Sequence, residues 1–154
     1  MRHIDTAKSL RATVRGGRTA GQTARMLGRN SSHFWGVVLE TPDPLALAEF
    51  YSALMDWKIV KEGPDFVALA PLGDHVEYLA FQRSPDYEQP TWPNKSHKQQ
   101  MMMHLDIEVP DLEKAVRFAT EAGAREADHQ PQDTVRVMLD PDGHPFCLYV
   151  DTSE

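Results

Sequence analysis

From Phe34 onward, short apolar runs alternate with amphipathic stretches, and the order of these patterns repeats once. Phe34 to Leu39 is an apolar run of strand length, bounded by the turn signal Pro42-Asp43. Asp43 suits a helix N-cap and Pro44 the first helical position, where a missing N–H costs nothing. Leu47, Phe50, Tyr51 and Leu54 then recur at helical spacing and predict one buried face. Trp57 to Val60, Phe66 to Ala70 and Val76 to Phe81 read as strands, separated by Gly63-Pro64 and Gly73-Asp74 turns.

The stretch from Glu40 to Asp65 is echoed 68 positions later, from Glu108 to Asp133. Glu40-Thr41-Pro42-Asp43 matches Glu108-Val109-Pro110-Asp111, and Phe50 falls on Phe118. In the second copy Met101 to Val109 predicts a strand, and Asp111 caps a helix. Leu112, Ala115, Val116 and Ala119 form that helix's apolar stripe, and Gly123 sits where a left-handed C-cap belongs. Val135 to Leu139 and Phe146 to Val150 predict strands joined by the Asp140-Pro141-Asp142-Gly143 turn. Two copies are too few for a solenoid. The expectation is an α+β fold of two pseudo-symmetric βαβββ modules, forming a curved mixed sheet around a concave cleft. Module one spans about 34–83, a polar linker with Pro85, Pro90 and Pro93 spans about 84–100, and module two spans about 101–150. One domain, 33–152, follows a basic N-terminal arm, 1–32.

Charge separates the arm from the body. Seven basic residues against Asp5 give the first 30 residues +6, which leaves −13 for the rest of a chain whose total is −7. A body this acidic excludes phosphate-backbone recognition, so no nucleic-acid partner is expected. The arm is expected to be a flexible extension, with Met26 as an alternative start. No apolar run reaches transmembrane length and no signal-peptide pattern is seen, so no membrane partner is expected. A single cysteine, Cys147, excludes an internal disulfide and fits a cytoplasmic protein.

Strand alternation then selects the candidate site. If Met103, Leu105, Ile107 and Val109 cover the second helix, then Met102, His104, Asp106 and Glu108 face the other way. Gly36, Val38 and Glu40 are their counterparts in module one. A row of His104, Asp106, Glu108 and Glu40 is too polar for ordinary core; it is either wetted or a binding site. Paired with Asp106, His104 is a candidate general base. Trp57, Tyr78, Trp92 and Tyr149 are the candidate apolar walls, with plain structural packing the leading reading of Trp92 and a pocket wall its alternative. His144 is expected at a pocket edge.

These motifs together carry a resemblance. Thr41-Pro42-Asp43-Pro44, Ala48-Glu49-Phe50-Tyr51, Leu54-Met55-Asp56-Trp57, Thr91-Trp92-Pro93, His104-Leu105-Asp106 and Asp140 to Leu148 resemble the vicinal oxygen chelate superfamily. That superfamily is also called glyoxalase/bleomycin-resistance/dioxygenase, and its glyoxalase-like domains are the nearest likeness. The resemblance implies the βαβββ fold, a small organic ligand and a homodimer. In metal-dependent members each module supplies one ligand from its first strand and one from its last. Carried over, these positions are His104 and Cys147 in module two, and Gly36 and Ala80 (or Leu79) in module one. Glycine and alanine cannot ligate, so His104 alone survives as a usual ligand, with Cys147 a conceivable soft one. The resemblance therefore implies a glyoxalase-like small-molecule-binding protein without the usual metal centre, and no cofactor is expected. Its alternative is an enzyme of the superfamily's kind, a lyase, isomerase or dioxygenase, using His104 as metal ligand or general base.

Overall fold

The computed structural model describes residues 31–152; the expectations for the basic arm lie outside the described residues. Module one runs β1 (Trp35–Thr41), α1 (Pro44–Met55), β2 (Lys58–Lys61), β3 (Phe66–Ala70) and β4 (Glu77–Arg83). Module two runs β5 (Leu105–Glu108), α2 (Leu112–Glu121), β6 (Arg125–Glu126), β7 (Val135–Leu139) and β8 (Pro145–Tyr149). Hydrogen bonding joins each set into its own four-stranded mixed sheet, β1-β4-β3-β2 and β5-β8-β7-β6. The first and last strands of each module are parallel neighbours and the remaining pairs are antiparallel. The repeat seen in the sequence is thus a repeat of topology. Where one curved sheet was expected there are two, each with its first strand at an edge.

The caps obey the repeat atom for atom. Asp43 Oδ1 accepts from the Ala46 amide at 3.2 Å, and Asp111 Oδ1 accepts from the Lys114 amide at 3.0 Å. Each satisfies a first-turn N–H that has no intrahelical partner. Gly123 ends the second helix region with φ of 116°, which a side chain would oppose. The strand expected over Met101 to Val109 is shorter, because pairing with β8 begins only at Leu105.

One apolar core serves both modules. Leu47, Phe50 and Tyr51 of α1 meet Val67, Leu69, Leu79 and Phe81 beneath sheet one. Ala119, Met138, Phe146 and Leu148 continue the same cluster under sheet two. Tyr51 stacks on Phe81 at 5.5 Å and meets Phe146 edge-on at 6.1 Å. Burying each such ring contributes about 1.5–3 kcal/mol, and Phe146 carries this ring contact from module one into module two. Met103, expected to cover the second helix, is instead 62% exposed. It precedes the paired part of β5, so no ladder holds it to the core face.

A smaller cluster lies on the opposite face of sheet two. Ala127, Val137, Leu139 and Cys147 are buried there, with Trp92 and Val135 packed against them. Trp92 precedes a cis Trp92–Pro93 bond, and its indole N–H donates to the His129 carbonyl at 3.0 Å. The linker therefore folds back over module two.

Candidate functional site

The register of β5 against β8 builds the centre of the site. Asp106 and Cys147 are Cα partners in this parallel pair, so their side chains leave the same face. His104 stands two residues before Asp106, and its Nε2 lies 3.1 Å from Asp106 Oδ1. The ligating atoms of His104, Asp106 and Cys147 all lie within 4.8 Å of one another. Glu108 and Tyr149 form the next register pair on this face. Val38 and Ala80 hold the corresponding pair in module one, which settles the counterpart of Cys147 as Ala80.

The hydrogen bond to Asp106, and behind it one to Cys147, raises the His104 pKa to about 10, against a smaller opposing effect of burial. At neutral pH the imidazole is therefore cationic. A cation donates protons or anchors an anion; it does not abstract a proton. Strand alternation showed a shared face and no contact distance, so this 3.1 Å pairing was not legible in the sequence.

A cavity of about 320 Å³ opens at the seam between the modules. Val37 and Leu39 of β1, Leu105 of β5 and Pro145 of β8 line it, together with Met103, Tyr51, His104 and His144. The sequence showed Val37 and Leu39 only as part of an apolar strand run. They become cavity wall because β1 and β5 are sheet edges that no backbone pairing closes.

The floor of this seam is a polar lock. His144 Nδ1 lies 2.8 Å from Asp140 Oδ2, and its Nε2 lies 2.9 Å from the Glu40 carbonyl. Both partners are acceptors, so both ring nitrogens carry hydrogen. Tyr51 donates its hydroxyl to Asp140 Oδ2 at 3.0 Å, and Tyr87 donates to the Asp142 carbonyl at 2.8 Å. Thr41 donates to the Asp142 carboxylate from the end of β1. Burial opposes charge on His144, but the hydrogen bond and field of Asp140, with the Glu40 carbonyl, outweigh it and the pKa is raised. Burial likewise raises the pKa of Tyr51 and Tyr87, so both hydroxyls stay neutral donors.

The other expected site residues are distributed unevenly. Tyr78 is on the expected face, and its ring lies over Gly36: a Cβ built at Gly36 would come within 2.5 Å of that ring. Glu40 is exposed, and its backbone carbonyl is what meets His144. Trp92 belongs to the face cluster described above. Trp57 is a correction, since it packs against the shared core on the helix side and walls no concave face. Its position just after the left-handed Asp56 turns it inward. Tyr51, Tyr87 and Asp140 were missed, the first hidden in a helix stripe and the others in loops whose partners lie far along the chain.

With this geometry in place, the likeness to known proteins can be weighed. A glyoxalase-like domain model matches residues 36–149, most of the chain. The chain belongs to the glyoxalase-like domain family.

Solved relatives agree in fold. A glyoxalase/bleomycin resistance protein/dioxygenase family enzyme from Burkholderia phytofirmans PsJN is 19% identical with a TM-score of 0.57, over 75% of this chain and 95% of that one. A glyoxalase-related enzyme from Fulvimarina pelagi is 18% identical with a TM-score of 0.55, over 81% and 89%. A glyoxalase family protein from Enterococcus faecalis is 21% identical with a TM-score of 0.52, over 80% and 99%. No curated protein sequence is significantly similar. At these identities the likeness shows the fold alone, and function must be argued from the site.

The superfamily's two-module metal does not fit this glyoxalase-like domain. Gly36 and Ala80 offer no donor atom, and the Tyr78 ring fills the space a ligand at Gly36 would need. Among the described residues, the group of donor atoms close enough to hold a metal, His104, Asp106 and Cys147, lies in module two.

Proposed function

We propose that this glyoxalase-like domain binds a small organic molecule in the seam cavity between β1 and β5, without a metal bridging the two modules. The observation that carries this reading is the cavity itself, whose walls are Val37, Leu39, Leu105 and Met103, with His104 beside them. Its volume, about 320 Å³, is at the lower end of the range for ligand pockets. The ligand's apolar body packs on the aliphatic walls, and an acceptor group meets the His104 imidazolium. Aliphatic area supplies affinity and the His104 cation sets orientation.

The test is a ligand-observed NMR screen of small aromatic and branched aliphatic acids against wild type, Leu39→Trp and His104→Ala. Filling the cavity with Leu39→Trp abolishes uptake, while His104→Ala weakens it roughly tenfold. Uptake unchanged in Leu39→Trp would place the binding elsewhere and sink the reading.

The 3.1 Å contact of His104 with Asp106 favours a second reading, an enzyme of the superfamily's kind. In that case His104 acts as an acid toward a bound oxygen, with Asp106 holding its orientation. Turnover of a bound compound that nearly vanishes in His104→Ala, with binding retained, separates this reading from simple sequestration.

A further inference from the structure

Among the described residues, His104, Asp106 and Cys147 are the only three that bring metal-ligating atoms together. Their convergence is built by the sheet. Asp106 and Cys147 are held by the β5–β8 ladder, and His104 approaches from the unpaired segment just before it. In a tetrahedral site with bonds of about 2.0–2.3 Å, neighbouring ligand atoms stand roughly 3.2–3.8 Å apart. His104 Nε2 and Asp106 Oδ1, at 3.1 Å, are already near that separation.

Chemistry narrows the cation. An imidazole, a carboxylate and a thiol make a borderline-soft donor set, which selects zinc-like ions over magnesium or calcium. Three protein ligands with a fourth position open is the arrangement of reactive zinc sites. Exposure gives the open side: the His104 and Asp106 side chains are 31% and 56% exposed, whereas Cys147 is buried beneath them. A cation can enter from the histidine side while the sulfur stays shielded.

We propose that His104, Asp106 and Cys147 bind one zinc-like divalent cation within module two alone, with a thiolate among its ligands and no donor from module one. This departs from the superfamily's chelate in ligand source and in softness, and it adds Asp106, which that pattern does not include. Binding takes Cys147 as thiolate and His104 as neutral imidazole, so their protons leave to solvent as the metal enters. The site shares His104 with the seam cavity, and a bound cation takes the place of the imidazolium charge there; Leu39→Trp, which fills the cavity without touching a metal ligand, tells failure of one reading from failure of the other.

The test is a cobalt(II) titration of untagged, metal-stripped full-length protein in mildly alkaline buffer, followed by zinc displacement. One equivalent of cobalt produces visible bands of four-coordinate geometry and a near-ultraviolet thiolate-to-cobalt band, both removed by zinc. Cys147→Ser removes the thiolate band, and Asp106→Asn and His104→Ala each weaken zinc more than about tenfold in competition with a chromophoric chelator. His75→Ala, at an exposed histidine–carboxylate pair, changes neither readout. Asp106→Asn, at an exposed position, serves should Cys147→Ser fail to fold by circular dichroism. Cobalt binding without a thiolate band, or zinc affinity equal in wild type and Asp106→Asn, would overturn the proposal.

Discussion

His144, in the last turn of module two, sets its Nε2 2.9 Å from the Glu40 carbonyl oxygen on the first strand of module one. With Nδ1 on the buried Asp140 carboxylate, the ring is a charged strut between halves that share no backbone ladder. That strut has a calculable pH response. The folded pKa of His144 is raised above its ordinary value, so its stabilisation is full below the unfolded pKa, near 6.5. It is lost as pH rises through the folded pKa. Groups facing the ring are Asp140, Asp142, Tyr87 and the Glu40 carbonyl. Chemical unfolding across neutral to alkaline pH should show stability falling in wild type and a flatter profile in His144→Ala. At neutral pH that variant should be less stable by about 3 kcal/mol, since Asp140 stays buried without its cation.

His104 is expected to stay protonated well above neutral pH. Its ring carbon and nitrogen shifts, followed by NMR, should titrate near pH 10 and not near 6.5. Asp106→Asn removes the largest cause of the shift, so the midpoint should fall. A wild-type midpoint near 6.5 would restore the general-base reading of this residue.

Gly36 and Tyr78 are coupled by space. Gly36→Ala should destabilise the domain by about 1–3 kcal/mol, because the new methyl collides with the Tyr78 ring and carbonyl. Tyr78→Ala in the same chain should recover part of that loss, a double-mutant coupling readable by thermal unfolding. Independent, additive effects would contradict the contact.

Exposed apolar residues at equivalent places make the homodimer expected from the resemblance testable. Phe34 and Trp35 before Gly36 are 68% and 54% exposed, and Met102 and Met103 before His104 are 82% and 62% exposed. Light scattering should give twice the 17.4 kDa chain mass, and Trp35→Glu should shift it toward the monomer. A monomer in wild type at micromolar concentration would remove the dimer from consideration.

Much was legible in the chain. The 68-residue echo placed both helices, both Asp caps and the order of strands, because caps, apolar periodicity and turns are local properties that short windows carry. Alternation also put His104, Asp106 and Glu108 on a common face, since a strand's period of two is fixed by its backbone, while Cys147 was reached through the resemblance.

Tertiary structure decided what those residues touch. Cys147 joins Asp106 and His104 only because β8 pairs with β5 in one particular register, and a slip of one residue would turn Cys147 into the core. The sequence therefore determined two modules and a polar row. The union of Tyr51, Glu40 and Asp140 with His144, and the opening of Val37 and Leu39 into a cavity, came from docking two sheets by their unpaired edges. Contacts between atoms a hundred residues apart depend on how whole elements pack, and no local periodicity encodes that distance.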